Sequence, residues 1–378
     1  MSLTEDTLYA SSTQFRLWSF TPEKLVSLRA ETNAFATKNI TKAIKRARAS
    51  DETDNKEQKI DCLTMEEEQT LINAYCAQLM HLGQAKPFSL PVSVVGTAVQ
   101  FFKRFYLSNS PMTYHPLQIL PATLFLATKT ESRHMALKDF AERLRGLTAW
   151  KTATPDEVIA PEFIITQALR FSFSVRHPYR ALSGFRLEML GLLEVVRARR
   201  GPAGFPLAVE DVRGKLLGGR DPEAWGEVVQ RMHETALKYL HGAALLSDVY
   251  FLYAPAHITF AALHIADPEF TEMFLEIPLR NKPELKARVL ATVLACKVVL
   301  LEAEKRRVDK EEVARVEAKL ALCRDPEKID LVGLNRAQKR DAAEDGQLDE
   351  KVAKKRRLIR EKSARDAEDL FGPGLVGK

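Results

Sequence analysis

The sequence predicts an all-α protein, and three observations carry that prediction. Apolar residues recur at three- and four-residue spacing along most of the chain. Prolines stand where helices would begin, after a capping residue at Thr21-Pro22 and Thr154-Pro155. Alternating apolar and polar runs are few, and no Asn-Gly or Asp-Gly pair is flanked by them. A chain of 378 residues has room for about two to three domains, and with 46% hydrophobic residues it can bury a substantial core.

Taken in order, the first helix starts at Thr21 as N-cap, with Pro22 at the first position and Lys24 at the third. Leu25, Leu28 and Thr32 share a face, and the pattern runs to about Arg48 before the polar stretch Ser50 to Lys59, which reads as a loop. A second helix begins near Glu66, with Leu71, Tyr75, Leu79 and Leu82 on one side. The next follows Pro91. Val94, Val95, Ala98, Phe101, Phe102 and Phe105 cover so much of it that only Gln100, Lys103 and Arg104 are left for solvent. This helix should be central, with the small residues Gly96 and Thr97 admitting a neighbouring backbone. A fourth starts near Pro116 with Leu117, Leu120 and Leu124 inward, kinked or delayed by Pro121. A fifth covers about Ala136 to Gly146. A sixth opens on the capping box Thr154-Pro155-Asp156-Glu157, is interrupted at Pro161, and continues through Phe163, Ile164, Ala168 and Phe171.

His177-Pro178-Tyr179-Arg180 reads as a linker. Beyond it, helices are expected over Ala181 to about Arg197, Pro222 to Leu246, Pro255 to Ala266, a short one near Glu269, and Pro283 to Leu301. The Gly-, Pro- and Arg-rich stretch from Arg199 to Asp221 reads as a long loop. A charged helix follows Glu302, with a thin stripe of Val308, Val313, Val316, Leu320 and Leu322 that must dock to be stable. The N-terminal helix is the expected partner. From Glu327 onward charge rises, apolar residues thin out, and the tail reads as disordered.

Several functions are disfavoured. The net charge of +6 is modest for this length and gathers at Lys38 to Arg48 and Lys351 to Arg360, so charge alone does not mark a nucleic-acid binder. Cys62, Cys76, Cys296 and Cys323 form no Cys-x-x-Cys pair, which argues against zinc and for a reducing compartment, cytosol or nucleus. Met1 to Thr13 is polar, unlike a signal peptide, and Val289 to Leu301 is too short for a membrane span. No phosphate loop, His-Glu-x-x-His, Gly-x-Ser-x-Gly or kinase signature occurs. The histidines are scattered; His115 and His177 neighbour prolines, His257 closely follows Pro255, and all three read as structural residues at turns and helix starts.

The segment Ser93 to Lys129 is the most distinctive. It carries Ser-Val-Val-Gly-Thr-Ala, Phe-Lys-Arg-Phe-Tyr-Leu from Phe102, Ser108-Asn109-Ser110, Met112, Tyr114-His115-Pro116, and Phe-Leu-Ala-Thr-Lys ending at Lys129. With Trp18, Phe20, Leu28-Arg29-Ala30 and Asn33 before it, and Leu246-Ser247-Asp248, Tyr250, Leu252-Tyr253 and Pro255 after it, the chain resembles cyclins of the H type, in a fungal-like version. Glu311-Glu312-Val313-Ala314, Lys319-Leu320 and Cys323 extend the likeness to the C-terminal helix.

The resemblance implies two tandem five-helix cyclin boxes with additional N- and C-terminal helices. The boundaries would be an N-terminal helix and polar loop at 1–60, a kinase-binding box at 61–176 and a second box at 177–302. A C-terminal helix at 303–326 and a disordered charged tail at 327–378 would follow. It also implies a non-enzymatic activator of a cyclin-dependent kinase of the CDK-activating type, with no cofactor. The further partners would be a RING-finger assembly factor and the core of transcription factor IIH, with neither membrane nor direct nucleic-acid binding. The kinase-gripping pair would be Lys129, ending the third helix of the first box, and Glu162, after Pro161. A lysine donates and a carboxylate accepts, so together they suit backbone groups of a partner helix. Work in the nucleus is implied, and Lys354-Lys355-Arg356-Arg357 would serve as the import signal. A C-like or other transcriptional cyclin, and a cyclin-fold nucleic-acid-binding transcription factor, remain as alternatives.

Overall fold

The computed structural model describes residues 9–50, 60–198, 222–279, 281–306 and 308–336, and among them there is no strand. The loops expected at 51–59 and 199–221, and the basic run at 354–357, lie outside the described residues. The chain forms two compact units, Met1–Ile329 and Asp330–Lys378. In the second, residues 331–336 are helical, and Asp330 Oδ1 accepts the Gly333 amide at 2.8 Å.

Near the start of the described residues lie α1 (Thr13–Trp18) and α2 (Pro22–Ser50). Helix α1, absent from the sequence reading, is capped by Ser12, whose hydroxyl accepts the Phe15 amide. Thr21 caps α2 as expected, its Oγ1 accepting the Lys24 amide at 3.3 Å.

Five helical segments in the expected order follow: α3 (Met65–Gln84), α4 (Val92–Phe105), α5 (Pro116–Thr130), α6 (Leu137–Arg145), and a divided last one, α7 (Pro155–Ile159) and α8 (Glu162–Ala168). Thr64 and Glu67 form a capping box at the start of α3, and Thr154 and Glu157 form one on α7. His115 caps α5 through Nδ1, at 3.1 Å from the Leu117 amide. Pro121 does not break α5. Its missing amide frees the Leu117 carbonyl, which instead accepts the Trp150 indole N–H at 3.3 Å.

Helix α4 is central, packed by α3, α5, α8 and the second half of the chain. Phe101, Phe102 and Phe105 are wholly buried. The expectation that Gln100, Lys103 and Arg104 face solvent is wrong: they are 0%, 3% and 2% exposed. A helix enclosed on every side has no solvent face: Lys103 reaches the Ser247 carbonyl of the second half, and Arg104 lies over the Trp18 ring of α1. Nor does a backbone approach Gly96. A Cβ there would lie 2.9 Å from the His177 ring, so the small residue makes room for an imidazole.

The second half repeats the arrangement with α9 (Tyr179–Ala198), α10 (Pro222–His241), two short turns α11 (Ala243–Leu246) and α12 (Val249–Leu252), then α13 (Pro255–Ala266), α14 (Pro268–Leu279) and α15 (Pro283–Lys305). The expected helix Pro222 to Leu246 is cut at Gly242, and α14 is longer than expected. Helix α13 sits between α10 and α15, where Ile258, Ala261, Ala262, Leu263, Val293 and Leu300 are fully buried.

The last helix of this unit, α16 (Lys310–Leu322), docks on α3 rather than on α2. Val316 and Leu320 are buried, whereas Val308 and Leu322, counted in the same stripe from sequence, are 50% and 80% exposed. Electrostatics guides the choice. Lys319 and Arg315 reach the two oxygens of Glu67 at 2.9 and 2.8 Å, and Tyr75 donates to Glu317 at 2.5 Å. Helix α2 meets the turn after α16, at Pro326–Lys328, where Arg46 pairs with Glu327 at 3.3 Å.

Candidate partner-binding site

Lys129 lies in the last turn of α5 and Glu162 at the first position of α8. The chain folds this way for local reasons. Ser132 adopts the left-handed conformation (φ 54°), and the Glu131 and Arg133 amides close back on the Ala127 and Thr128 carbonyls. Helix α5 therefore stops just after Lys129, a cation at a helix C-terminus. Pro161 is the N-cap of α8, so the residue that interrupts the helical pattern also starts the helix that carries Glu162.

The structure brings the two residues together. Lys129 Nζ lies 2.5 Å from Glu162 Oε1, with side chains 34% and 25% exposed, and 4.8 Å from the centre of the Phe125 ring. The other carboxylate oxygen, Glu162 Oε2, is enclosed and has no hydrogen-bond partner. An ionised carboxylate accepts several bonds, so this oxygen is an acceptor left unsatisfied among the described residues. Around it the segment is apolar and open: Ile159, Phe163 and Phe171 are 41%, 58% and 65% exposed. Arg170 and Phe171 both take positive φ, 52° and 53°. Two consecutive left-handed residues turn the chain at the end of α8 and leave the Phe171 ring in solvent.

A buried relay supports the end of α5. The Tyr250 hydroxyl donates to His177 Nδ1 at 3.0 Å. His177 Nε2 donates to Thr97 Oγ1 at 2.8 Å, and Thr97 donates to Glu131 Oε1 at 2.8 Å. The tautomer follows because the one Thr97 proton is committed to Glu131. Burial, and then the nearby charge of Arg104, push the His177 imidazole down to about 3, so it stays neutral. His177 is thus structural, as its place beside Pro178 suggested, but it joins both halves of the chain to the helix that carries Lys129. Nothing in its sequence context announced Thr97 or Tyr250 as partners.

A second anchor lies close by. Arg29 of α2 forms a two-pronged pair with Asp248, at 2.8 and 2.9 Å. Lys103 of α4 lies 3.5 Å from the same carboxylate and donates to the Ser247 carbonyl. Burial alone would raise the Asp248 carboxyl; Lys103 and Arg29 override it and hold the group well below the ordinary carboxylate range. Arg29 and Asp248 were noticed only as words of a resemblance, and 219 positions separate them. Among the described residues, no group of His, Cys, Asp and Glu could hold a metal ion. No described helix is long and apolar enough to cross a membrane.

Known proteins match this arrangement. The family model for the cyclin C-terminal domain covers residues 177–301. Cyclin CCL1 of Saccharomyces cerevisiae is 32% identical over 72% of this chain, which spans 62% of that protein. Cyclin mcs2 of Schizosaccharomyces pombe is 30% identical over 84% of this chain and 86% of its own length. Among solved structures, a chain of the CAK complex of Chaetomium thermophilum bound to ATP-γ-S matches with a TM-score of 0.72, at 29% identity, covering 92% of this chain and 98% of that one. A chain of the yeast TFIIK (Kin28/Ccl1/Tfb3) complex matches with a TM-score of 0.55, also at 29% identity, covering 77% and 100%. Two repeated helical halves around an enclosed central helix, matched along most of mcs2, carry the conclusion that this chain belongs to the cyclin family, among the cyclins of the H type.

Proposed function

We propose that this cyclin binds and activates a cyclin-dependent kinase of the CDK-activating type, acting in cell-cycle control and RNA polymerase II transcription, and does no chemistry itself. The observation that carries the reading is the Lys129–Glu162 pair with its enclosed, unpartnered Oε2, rimmed by Phe163 and Phe171. A kinase helix laid on this rim would receive a donor from Lys129 and an acceptor from Glu162, while the aromatic rings supply apolar area. Holding that helix inward completes the ion pair and the loop order needed for phosphoryl transfer. The similarity to chains of the CAK and TFIIK complexes supports a kinase partner and association with transcription factor IIH. A RING-finger assembly subunit would be the third member.

The test is Lys129→Ala and Glu162→Ala, singly and together, measured by kinase binding, kinase activation and a melting curve. Each single change should weaken binding by about 2–4 kcal/mol, roughly 30- to 1000-fold. The double change should cost less than the sum. The melting temperature should move little, because solvent screens this part-exposed pair, which contributes about 0–1 kcal/mol. Normal activation by both single variants would overturn the assignment of the surface. The protein would act in the nucleus, with Lys354, Lys355, Arg356 and Arg357 as the import signal. A chain ending at residue 336 should then fail to accumulate there when the kinase is absent, and nuclear entry of that chain would refute the signal.

A further inference from the structure

Arg104 is the least expected side chain in the core. The residue is 2% exposed, yet no carboxylate among the described residues pairs with its guanidinium. Among the described residues its one hydrogen bond runs from Nη1 to the Ser174 carbonyl at 3.4 Å, and its Nε has no acceptor. It lies 5.0 Å from the centre of the Trp18 ring, and the Arg170 guanidinium lies 5.8 Å from that same ring. The Trp18 indole N–H is buried without an acceptor. Gln14, fully buried on α1, accepts the Arg176 amide at 2.6 Å through Oε1 but leaves its Nε2 donor unmatched. The buried Tyr9 hydroxyl lies beside Gln14 and Ser19, placed to accept from the Gln14 amide though not at full hydrogen-bond geometry.

Three of these four groups can only donate. Arg104 Nε, Trp18 Nε1 and Gln14 Nε2 are all donors, gathered about α1 with a positive charge among them. A buried water would satisfy a donor but not the charge, and an unpaired buried ion is among the most costly arrangements a fold can hold. The charge is felt nearby: burial lowers the Arg104 guanidinium to about 9, and Arg104 adds to the burial that depresses His177. We propose that Arg104, Trp18 and Gln14 form a buried oxyanion site that takes a carboxylate or phosphate group, independent of the kinase-gripping pair. Two sources fit the chemistry. Glu5 and Asp6 precede Tyr9 by four and three residues, within about 10–14 Å of extended chain. The other source is free phosphate. Either would tie α1 to α4 at the junction of the two halves.

Melting of the full chain, in chloride and in inorganic phosphate at equal ionic strength, tests this. Four chains are compared: the unaltered one, Arg104→Met, Trp18→Phe, and Glu5→Gln with Asp6→Asn. If the chain's own carboxylate is the occupant, Glu5→Gln/Asp6→Asn melts about 5 °C or more lower in chloride and phosphate restores it. If free phosphate is the occupant, the unaltered chain gains a similar shift in phosphate, and the Glu5→Gln/Asp6→Asn chain behaves like it. In both cases Arg104→Met melts lower and gains only the general salt effect, while Trp18→Phe keeps a reduced response. Should Arg104→Met fail to fold, Trp18→Phe supplies the comparison. Equal melting of the unaltered and Glu5→Gln/Asp6→Asn chains, with a phosphate response no larger than in the site variant, overturns the site. So does Arg104→Met at or above the stability of the unaltered chain.

Discussion

At the scale of single residues, neighbouring carboxylates meet opposite fates. Glu67 and Glu68 open helix α3 side by side. Burial would raise Glu67, but the Thr64 amide, Lys319 and Arg315 override it and hold the group down to about 2. Glu68 turns inward, where burial lifts it to about 7 against the Ser110 and Asn33 hydrogen bonds. The linkage has opposite signs. An acid whose folded value is raised destabilises the fold as pH climbs from its unfolded value, 4.5, through about 7. Glu68→Gln, which keeps an acceptor for Ser110, should therefore be near neutral at pH 4 and stabilising by about 1–3 kcal/mol at pH 8. Thermal melts at the two pH values read this directly, and an identical shift at both would contradict the buried-acid account.

At the scale of elements, α16 shows how a marginal helix finds its place. Its apolar stripe is thin, with Val316 and Leu320 buried and Val308 and Leu322 outside. Such a helix is unstable alone. Its docking on α3 is directed by the Glu67 cluster with Lys319 and Arg315, and by Glu317 with Tyr75 and His115, whose Nε2 lies 3.6 Å from the carboxylate. Leu320→Ala should cost about 2–5 kcal/mol, as for other large-to-small changes in a core. The Glu67 contribution is present above 4.5 and is lost as pH falls through about 2, so acid should release α16 before the boxes. Hydrogen exchange followed between pH 5 and 2 would show the 310–322 amides losing protection first. Simultaneous loss with the α4 amides would rule out α16 as a separately docked element.

For the whole molecule, the junction of the two halves is polar where most cores are not. Asp248 receives Arg29 from α2 and Lys103 from α4, and the His177 relay runs alongside from Tyr250 to Glu131. These contacts fix where the halves sit against each other, and hence where Lys129 stands relative to the rest of the surface. Asp248→Asn keeps the shape but leaves two cations, one almost fully buried, without their anion. A loss of about 2–4 kcal/mol is expected. Kinase activation should weaken even though no partner contact is altered. Combining the change with Arg29→Met should cost little more than Asp248→Asn alone. Additive losses would mean that Arg29 and Asp248 act independently.

The sequence by itself determined that this protein is helical, and where most helices begin. Caps and prolines act within a turn, so Thr21, Thr154, Pro116 and Pro255 mark starts that the structure keeps. Through the Ser93 to Lys129 wording it also displayed the resemblance to cyclins, which points to Lys129 and Glu162. Helix faces were legible wherever one side meets solvent, as on α3, but not on α4, where enclosure buries Gln100, Lys103 and Arg104. Periodicity reports a contrast between two sides, and an enclosed helix has none. The partner of α16, the pairing of Lys129 with Glu162, and the meeting of Arg29 with Asp248 were decided only by the tertiary structure. Each joins residues from 33 to 252 positions apart. Local backbone chemistry carries no information over such separations; packing and the pairing of buried charge do.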